Sequence, residues 1–183
     1  MNQKGYYRYP CVNGSTVVFV SEDDLWQVPI SGGRAIRLTN VLSDVLNPLI
    51  SEDGKWIAYT GRDEGNSEIY LMPFGGGVSE RITFFGMSSF PVTWKKNKLI
   101  FRSNYGQAFP SVYELYEMDI ESKEFKKLKF GEATQIAFNG NVTLIGRNIG
   151  DPAKWKRYRG GTAGHLWIDR NGNGVFKRFL QHI

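Results

Sequence analysis

The sequence predicts an all-β protein made of four similar units, and three features of its 183 residues support this prediction. A dipeptide of Leu or Ile followed by Trp or Tyr, preceded by a polar residue, occurs four times, as DLW (24–26), EIY (68–70), ELY (114–116) and HLW (165–167). Thirteen residues after each Leu or Ile stands a bulky apolar residue preceded by a basic one, in RL (37–38), RI (81–82), KL (127–128) and RF (178–179). Successive copies begin 44, 46 and 51 residues apart, a period typical of a repeat of several strands.

A compact apolar run precedes each dipeptide, and these runs indicate how the units pack. They are TVVFV (16–20), KWIAYT (55–60), KLIFRS (98–103) and NVTLIG (141–146). Their apolar residues are successive instead of alternate, so both faces of each strand must be covered. Sheets stacked face to face around an axis provide that cover. We therefore predict a β-propeller with four blades of four antiparallel strands, at about 7–40, 44–84, 88–130 and 133–180.

Turn residues and prolines agree with this arrangement. Asp53-Gly54 and the NGN segment at 139–141 each predict a two-residue hairpin loop, since Gly accepts a positive φ. Pro10, Pro48 and Pro91 fall in the first strand of the first three units. Proline is tolerated there only at a sheet edge, and the first strand of a propeller blade is the edge that lines the central channel.

The bulk composition favours a folded, soluble, cytoplasmic protein. Hydrophobic residues make up 41% and aromatic residues 14% of the chain, which is enough for a core of short strands. The net charge of +5 comes from 23 basic and 18 acidic residues, a balance more typical of a mixed surface than of a partner-binding one. Cys11 is the single cysteine, so no intrachain disulfide is expected. No signal peptide or membrane-spanning run is recognisable.

Candidate catalytic and metal-binding residues are few. No Gly-x-Ser-x-Gly motif occurs, and the histidines are His165 and His182. His165 occupies the polar position that Asp24, Glu68 and Glu114 take in the other units, which favours a structural role. The segment DRNGNG (169–174) matches the opening of a calcium loop, but Leu180 replaces the Glu that should close it. We predict no catalytic residue, cofactor or metal in this chain.

A 17-residue insertion between Asn148 and Gly164 is the strongest candidate for a binding surface. It interleaves cations with aromatic rings, in Lys154, Trp155, Lys156, Arg157, Tyr158 and Arg159. Such a loop can pack against a neighbouring blade, attract peptide carboxylates or another domain, or bind nucleic acid by its backbone and bases. The sequence leaves these three alternatives open, with nucleic acid the weakest of them.

Two levels of resemblance follow from these motifs. The second unit, NPLISEDGKWIAYTGRDEGNSEIYLMPFGGGVSERIT, resembles the blade repeat of TolB-type propellers. The segments VVFVSEDDLWQV (17–28), LIGRNIGD (144–151) and KWKRYRGGTAGHLWID (154–169), in that order, resemble the N-terminal six-bladed propeller of tricorn protease and its homologues. One departure is FFGMSSFPVTW (84–94), which is short and uncharged where the archaeal relatives carry a longer loop with a basic pair.

The resemblance implies that the parent protein is a large cytosolic serine peptidase that trims short peptides and carries its catalytic residues in other domains. The function expected for this chain is then noncatalytic, as a scaffold and gate for peptides. Since a six-bladed ring needs roughly 270 residues, four blades would leave two apolar faces uncovered. We expect self-association through these faces or closure into a smaller ring. The alternative is a stand-alone TolB-type interaction module.

Overall fold

The computed structural model describes residues 5–148 and 163–180, which form sixteen β-strands in four sheets. The first sheet contains β1 (Arg8–Asn13), β2 (Thr16–Ser21), β3 (Asp24–Pro29) and β4 (Ile36–Arg37). The second contains β5 (Leu46–Ile50), β6 (Trp56–Gly61), β7 (Glu68–Pro73) and β8 (Glu80–Arg81). The third contains β9 (Ser89–Lys95), β10 (Lys98–Ser103), β11 (Glu114–Asp119) and β12 (Phe125–Glu132). The fourth contains β13 (Gln135–Asn139), β14 (Val142–Arg147), β15 (His165–Asp169) and β16 (Lys177–Phe179).

Each sheet is an antiparallel meander whose strands lie side by side in chain order. Extensive strand contacts join the first sheet to the second, the second to the third, and the third to the fourth. Among the described strands none of these extensive contacts joins the first sheet to the fourth, so the series is open at both ends. The prediction of four antiparallel four-stranded blades in a propeller arrangement is confirmed, and the sheets are called the first to fourth blades below.

The hydrophobic core consists of the seams between blades. Ile57 and Tyr59 of β6 pack with Val18 and Val20 of the first blade. Ala58, which lies between them in sequence, faces the opposite way and packs with the third blade. A third seam joins Ile100 and Leu115 to Ile136 and Ile145 of the fourth blade. Adjacent residues of one strand therefore serve different seams, which explains the successive apolar residues in the sequence.

Aromatic pairs dominate the side of a blade that faces its predecessor. Tyr59 and Tyr70 are cross-strand neighbours whose rings stack with centroids 5.6 Å apart. Phe101 and Tyr116 occupy the same positions in the third blade and stack at 5.4 Å. The opposite side of each blade is mainly aliphatic. The two seams among the first three blades thus join an aliphatic face to an aromatic one, whereas in the third seam Ile145 pairs with Trp167 at the position of the aromatic pair.

The thirteen-residue offset corresponds to a bridge between the third and fourth strands of each blade. Arg37 binds Asp24, Arg81 lies 3.2 Å from Glu68, and Lys127 lies 2.8 Å from Glu114. In the fourth blade the guanidinium of Arg178 lies 3.0 Å from Nδ1 of His165. Arginine can only donate, so this histidine nitrogen accepts. The repeated polar and basic residues are therefore partners that hold the outer strand to its sheet.

A threonine completes this bridge in the first two blades. The hydroxyl of Thr39 donates to Asp24 at 2.6 Å and accepts the N–H of Leu25 at 2.9 Å. Thr83 does the same between Glu68, at 2.5 Å, and the N–H of Ile69, at 2.8 Å. Glu68 is fully buried and also accepts the N–H of Gly86. These contacts satisfy a carboxylate that would otherwise be costly to bury.

Polar side chains add a few bonds across the seams. Asn13 donates to the carbonyl of Ser51 at 2.7 Å between the first and second blades. Thr60 donates to the carbonyl of Ser89 at 2.9 Å between the second and third. The third and fourth blades are joined by the ammonium of Lys95, 4.2 Å from the ring of Phe138. These bonds set the register of one blade against the next.

The turn and proline predictions have separate outcomes. Gly140 and Asn141 form the predicted two-residue loop between β13 and β14, with Gly140 at a φ of 57°. The loop containing Gly54 is longer than predicted, because β5 ends at Ile50 and β6 begins at Trp56. There the hydroxyl of Ser51 accepts the N–H groups of residues 55 and 56, and the backbone N–H of Ser51 donates to the carbonyl of Trp56 at 2.8 Å. Pro10, Pro48 and Pro91 lie in β1, β5 and β9, which are edge strands as predicted.

The bridge at Glu68 predicts a large loss of stability on substitution. Glu68→Gln removes the buried carboxylate that accepts from Thr83, Gly86 and Arg81, while Arg81 keeps its contact with Glu64, so we expect the free energy of unfolding to fall by about 1 to 3 kcal/mol. Urea denaturation followed by tryptophan fluorescence measures this change. The matched control is Glu80→Gln, which removes the exposed contact with Lys123 and should cost less than about 1 kcal/mol. Equal losses for the two variants would contradict the assigned role of the bridge.

Candidate functional site

The six predicted contact residues, Lys154, Trp155, Lys156, Arg157, Tyr158 and Arg159, lie outside the described residues. Their contact with peptide, partner or nucleic acid stays a prediction. His182 also lies outside the described residues, whereas His165 lies in β15 beside Arg178. Within 5–148 and 163–180, no group of three or more His, Cys, Asp or Glu side chains is placed to hold a metal ion.

The DRNGNG segment is an internally bonded loop. The carboxylate of Asp169 accepts the N–H groups of Asn171 at 3.0 Å, Gly172 at 2.9 Å and Gly174 at 2.7 Å. Burial acts to raise the pKa of Asp169, but the N–H groups of residues 174, 171 and 172 outweigh it and lower that pKa below the usual value. The carboxylate that would open a calcium loop is thus already engaged by its own backbone.

Two further sequence observations have simple structural explanations. Cys11 packs against the seam of the first and second blades. Burial raises the pKa of its thiol to about 11, so the reactive thiolate is scarce at neutral pH. The chain contains, among its described residues, no helix long and apolar enough to cross a membrane.

The first strands of the blades lie next to one another along the series. β1 contacts β5, β5 contacts β9, and β9 contacts β13. These strands are sheet edges, so one side of each carries backbone groups without a neighbouring strand. Tyr9 of β1 adopts a φ of 50° and is substantially exposed. An edge of this kind, lined by open backbone groups and an aromatic ring, is suited to contact an extended peptide.

Arg102 forms an unusual cluster beside this edge, and sequence reasoning missed it. Its guanidinium lies 4.9 Å from the ring centre of Phe90 and 5.6 Å from that of Tyr113. Its Nε–H is buried and, like those of Arg8 and Arg147, has no hydrogen-bond partner among the residues that the structure describes. Burial lowers the pKa of Arg102, and the nearby hydroxyls of Tyr113 and Tyr9 partly oppose this effect. Comparison of the apolar runs could have singled out Arg102, because KLIFRS has this cation where the first run has Val20 and the second has Thr60.

The two ends of the series expose faces that are buried elsewhere. On the first blade, Phe19 and Trp26 are cross-strand neighbours in the positions of the buried tyrosine pair of the second blade. They line an open groove of about 410 Å³ together with Tyr7, whose ring meets Phe19 edge-on at 5.3 Å. The fourth blade presents partly exposed Leu144, Leu166 and Ile168. One end is aromatic and the other aliphatic, as in the two seams among the first three blades.

Comparison with solved structures first defines the class of protein. The fold matches a TolB protein from Agrobacterium tumefaciens with a TM-score of 0.74 and 20% identity, over 97% of this chain and 63% of that one. It matches the crystal structure of the tricorn protease with a TM-score of 0.86 and 28% identity, over 98% of this chain and 19% of that one. The chain is therefore a β-propeller with the blade architecture seen in both.

Sequence comparison then identifies the family. The profile of the tricorn protease N-terminal beta propeller domain matches residues 4–182. A protein of Sulfurisphaera tokodaii, named provisionally as a tricorn-like protease N-terminal subunit, is 34% identical over 90% of this chain and 87% of its own length. Tricorn protease homolog 1 of Streptomyces coelicolor is 36% identical over 94% of this chain. The chain belongs to the family of tricorn N-terminal β-propeller domains.

The relatives differ in how much of their length the chain covers. It spans 16% of the Streptomyces coelicolor protein and 17% of the tricorn protease of Thermoplasma acidophilum, which is 30% identical over 93% of this chain. The resemblance to the tricorn N-terminal propeller that the motifs indicated is thus confirmed over nearly the whole chain.

The lowered pKa of Asp169 predicts a pH-dependent contribution to stability. A carboxylate with a lowered folded-state pKa stabilises the protein above its ordinary value of 3.8, and this contribution is lost as the pH falls through the folded-state pKa. Asp169→Asn should therefore be less stable than the natural chain at pH 7, with a difference that shrinks below pH 3.8. Urea midpoints at several pH values measure this. Glu22→Gln, which alters an exposed carboxylate, is the control, and a difference independent of pH would contradict the assignment.

Proposed function

We propose that this chain is a noncatalytic propeller component of a cytoplasmic tricorn-like serine peptidase, where it acts as a scaffold and as a gate for peptide substrates or products. The observation that carries the proposal is the match of residues 4–182 to the tricorn N-terminal propeller, together with the small share of the long relatives that the chain covers. The remaining length of those relatives provides room for the domains that perform hydrolysis.

The chemistry of the described residues supports a noncatalytic role. A serine hydrolase needs a histidine within hydrogen-bonding distance of its nucleophile. The nitrogen Nδ1 of His165 instead faces Arg178 at 3.0 Å, as the carboxylates do in the equivalent bridges. This histidine therefore has a structural role, because its bond with Arg178 joins β15 to β16. Substrate handling, in this proposal, falls to the axial edge and not to a reactive side chain.

The arrangement of the blades supports the gating part of the proposal. The first strands converge near the axis, so a peptide passing along it meets four sheet edges instead of the mixed outer surface. Tyr9 and Phe90 lie on two of these strands and bring aromatic contacts to the passage. Edges and rings recognise extended peptides with little dependence on side-chain identity, which suits a gate that admits many sequences.

The exposed end faces are proposed as docking surfaces for further blades in the parent ring. In the 183-residue chain alone, the same faces are available to a second copy. The aromatic face at Phe19 and Trp26 is complementary to the aliphatic face at Leu166 and Ile168, because the two seams among the first three blades pair these two kinds of face. Association of copies is then head to tail, with the fourth blade of one chain against the first blade of another.

The first test of the function compares hydrolysis with partner recovery. The chain should show no turnover of short fluorogenic peptides, and turnover sensitive to a serine-directed inhibitor would overturn the noncatalytic role. When tagged and expressed in its natural host, the chain should recover a polypeptide that reacts with a fluorophosphonate probe for serine hydrolases. A tagged Phe19→Glu variant is the control for docking through the first blade. Recovery of no reactive polypeptide by the tagged natural chain would contradict the peptidase assignment.

The second test concerns self-association of the isolated chain. Phe19→Glu and Leu166→Glu each place a charge on one end face, so each variant should be more monomeric than the natural chain at equal concentration. Size-exclusion chromatography with light scattering gives the mass. Val78→Glu makes the same change of charge at an exposed residue between β7 and β8 and should leave the mass unchanged. A natural chain that is monomeric at all concentrations would contradict this docking.

A further inference from the structure

Four Asn-Gly pairs lie in hairpin loops of this chain, and the structure gives them different surroundings. They are Asn13-Gly14, Asn139-Gly140, Asn171-Gly172 and Asn173-Gly174. An asparagine followed by glycine is prone to deamidation, because glycine has no side chain to hinder attack of its backbone nitrogen on the preceding amide. The hydrogen bonds around each pair therefore decide which of them reacts in the folded chain.

Deamidation converts an asparagine amide to a carboxylate and needs water as its only co-reactant. The following backbone nitrogen, once it has lost its proton to a base, attacks the side-chain amide carbon, forms a C–N bond and expels ammonia. Water then opens the five-membered succinimide at one of its two carbonyl groups and leaves aspartate or isoaspartate. The reaction is slowed wherever a hydrogen bond holds the backbone N–H or the side-chain amide, since that bond must first break.

Asp169 holds the two pairs in the loop between β15 and β16. Its carboxylate accepts the N–H of Gly172 at 2.9 Å and that of Gly174 at 2.7 Å. These are the nitrogen atoms that would attack Asn171 and Asn173. Loss of a proton from an N–H that donates to a negative charge is costly, because bonds to an ionised acceptor are the stronger ones. This loop therefore resists deamidation although it is exposed.

Asn13 is held through its side chain instead. Its amide nitrogen Nδ2 donates to the carbonyl of Ser51, in the second blade, at 2.7 Å. The residue is half-buried. The amide can turn toward the nitrogen of Gly14 only when this bond between the blades breaks, so the seam protects Asn13.

Asn139 occupies the same hairpin position in the fourth blade but lacks this protection. Asn13 pairs with Thr16 across the first hairpin of its blade, and Asn139 pairs likewise with Val142. Asn139 and Gly140 are both exposed. Within 5–148 and 163–180, neither the side chain of Asn139 nor the N–H of Gly140 has a hydrogen-bond partner, and the space beside Gly140 is open.

We propose that Asn139 is a site of spontaneous deamidation, and that a blade docked on the fourth blade suppresses the reaction. Elsewhere in the series the residue at this hairpin position contacts the following blade. Asn13 reaches Ser51, and Lys95 of the third blade reaches the ring of Phe138 at 4.2 Å. A following blade would engage Asn139 in the same way. The suppression rests on the proposed function, whereas the reactivity rests on the surroundings of Asn139.

The product would be unsuited to docking. A carboxylate cannot donate a hydrogen bond at neutral pH, so it cannot form the bond to a carbonyl that Asn13 forms across its seam. Isoaspartate also adds a methylene group to the backbone and changes the length of the hairpin. A chain whose fourth blade stays uncovered is therefore marked by the reaction and becomes a poorer partner for assembly.

The test compares all four asparagines in one sample. The dilute 183-residue chain is kept in mildly alkaline buffer, folded or in concentrated urea, and peptide mapping by mass spectrometry follows each conversion. Asn139 should react in the folded chain at close to its rate in urea. Asn13 should be slowed by roughly twofold to tenfold, and Asn171 and Asn173 by roughly tenfold to one-hundredfold, according to the strength of their bonds. Slowing of Asn139 by as much as Asn13 would overturn the site.

The variant Asp169→Asn tests the protection of the last two pairs. It removes the charged acceptor of both glycine N–H groups, so conversion of Asn171 and Asn173 in the folded chain should rise by roughly tenfold or more. Asn13, measured in the same digest, is the internal control and should keep its rate. An equal rise at Asn13 would show that the fold had loosened and would overturn the role given to the carboxylate.

Protein concentration tests the suppression by docking. If copies associate head to tail, conversion of Asn139 in the natural chain should slow by roughly twofold to tenfold as the concentration rises, as a bond like that of Asn13 forms. In Phe19→Glu, which blocks this association, conversion should stay fast. Fast conversion at every concentration in both chains would contradict the docking and leave the deamidation site in place. Slow conversion in both chains, even when dilute, would overturn the site whatever their mass.

Discussion

The burial of both faces of the two interior sheets is the constraint on which the rest of this structure depends. Ile57 and Ala58 are neighbours in β6, yet one packs with the first blade and the other with the third. A sheet with two apolar faces is stable only between two neighbours. The same constraint requires that a polar residue inside the stack be fully paired. The bridge between Glu68, Arg81 and Thr83 and the engaged carboxylate of Asp169 both meet that requirement.

The architecture could be predicted from the sequence because the periodicity has a local physical cause. Asp24 and Arg37, or Glu114 and Lys127, recur at a spacing of thirteen because they must meet across two adjacent antiparallel strands. Hairpin geometry converts that contact into a sequence interval, and the apolar runs before each copy indicate two covered faces. The loop at 51–55 was harder to predict, since the hydroxyl of Ser51 closes it by accepting the N–H groups of residues 55 and 56, and the pattern of turn residues does not report such side-chain bonds.

The candidate site was less predictable than the fold. Attention to charge and aromatic content selected the 148–164 insertion, where such residues are adjacent in the chain. Arg102, Phe90 and Tyr113 are spread over 24 positions and come together only when β9 and β10 pair. Whether Arg102 meets an acceptor depends on all the strands around it, so a local sequence pattern cannot show that its Nε–H has none among the described residues. The sequence does show one thing: when the four repeats are aligned, Arg102 stands where the other blades have Val20, Thr60 and Gly146.

The meander order of the strands affects how the polypeptide is made. Every ladder pairs strands that are consecutive in the chain, so loop closure within one blade spans few residues and is entropically cheap for a β protein. During synthesis on the ribosome, the first blade can begin to form before the later ones emerge. Its apolar face toward the second blade then remains exposed to water until that blade has been synthesised. At each stage of synthesis the newest blade exposes an apolar face, and a chaperone that covers this face would protect the nascent chain from aggregation.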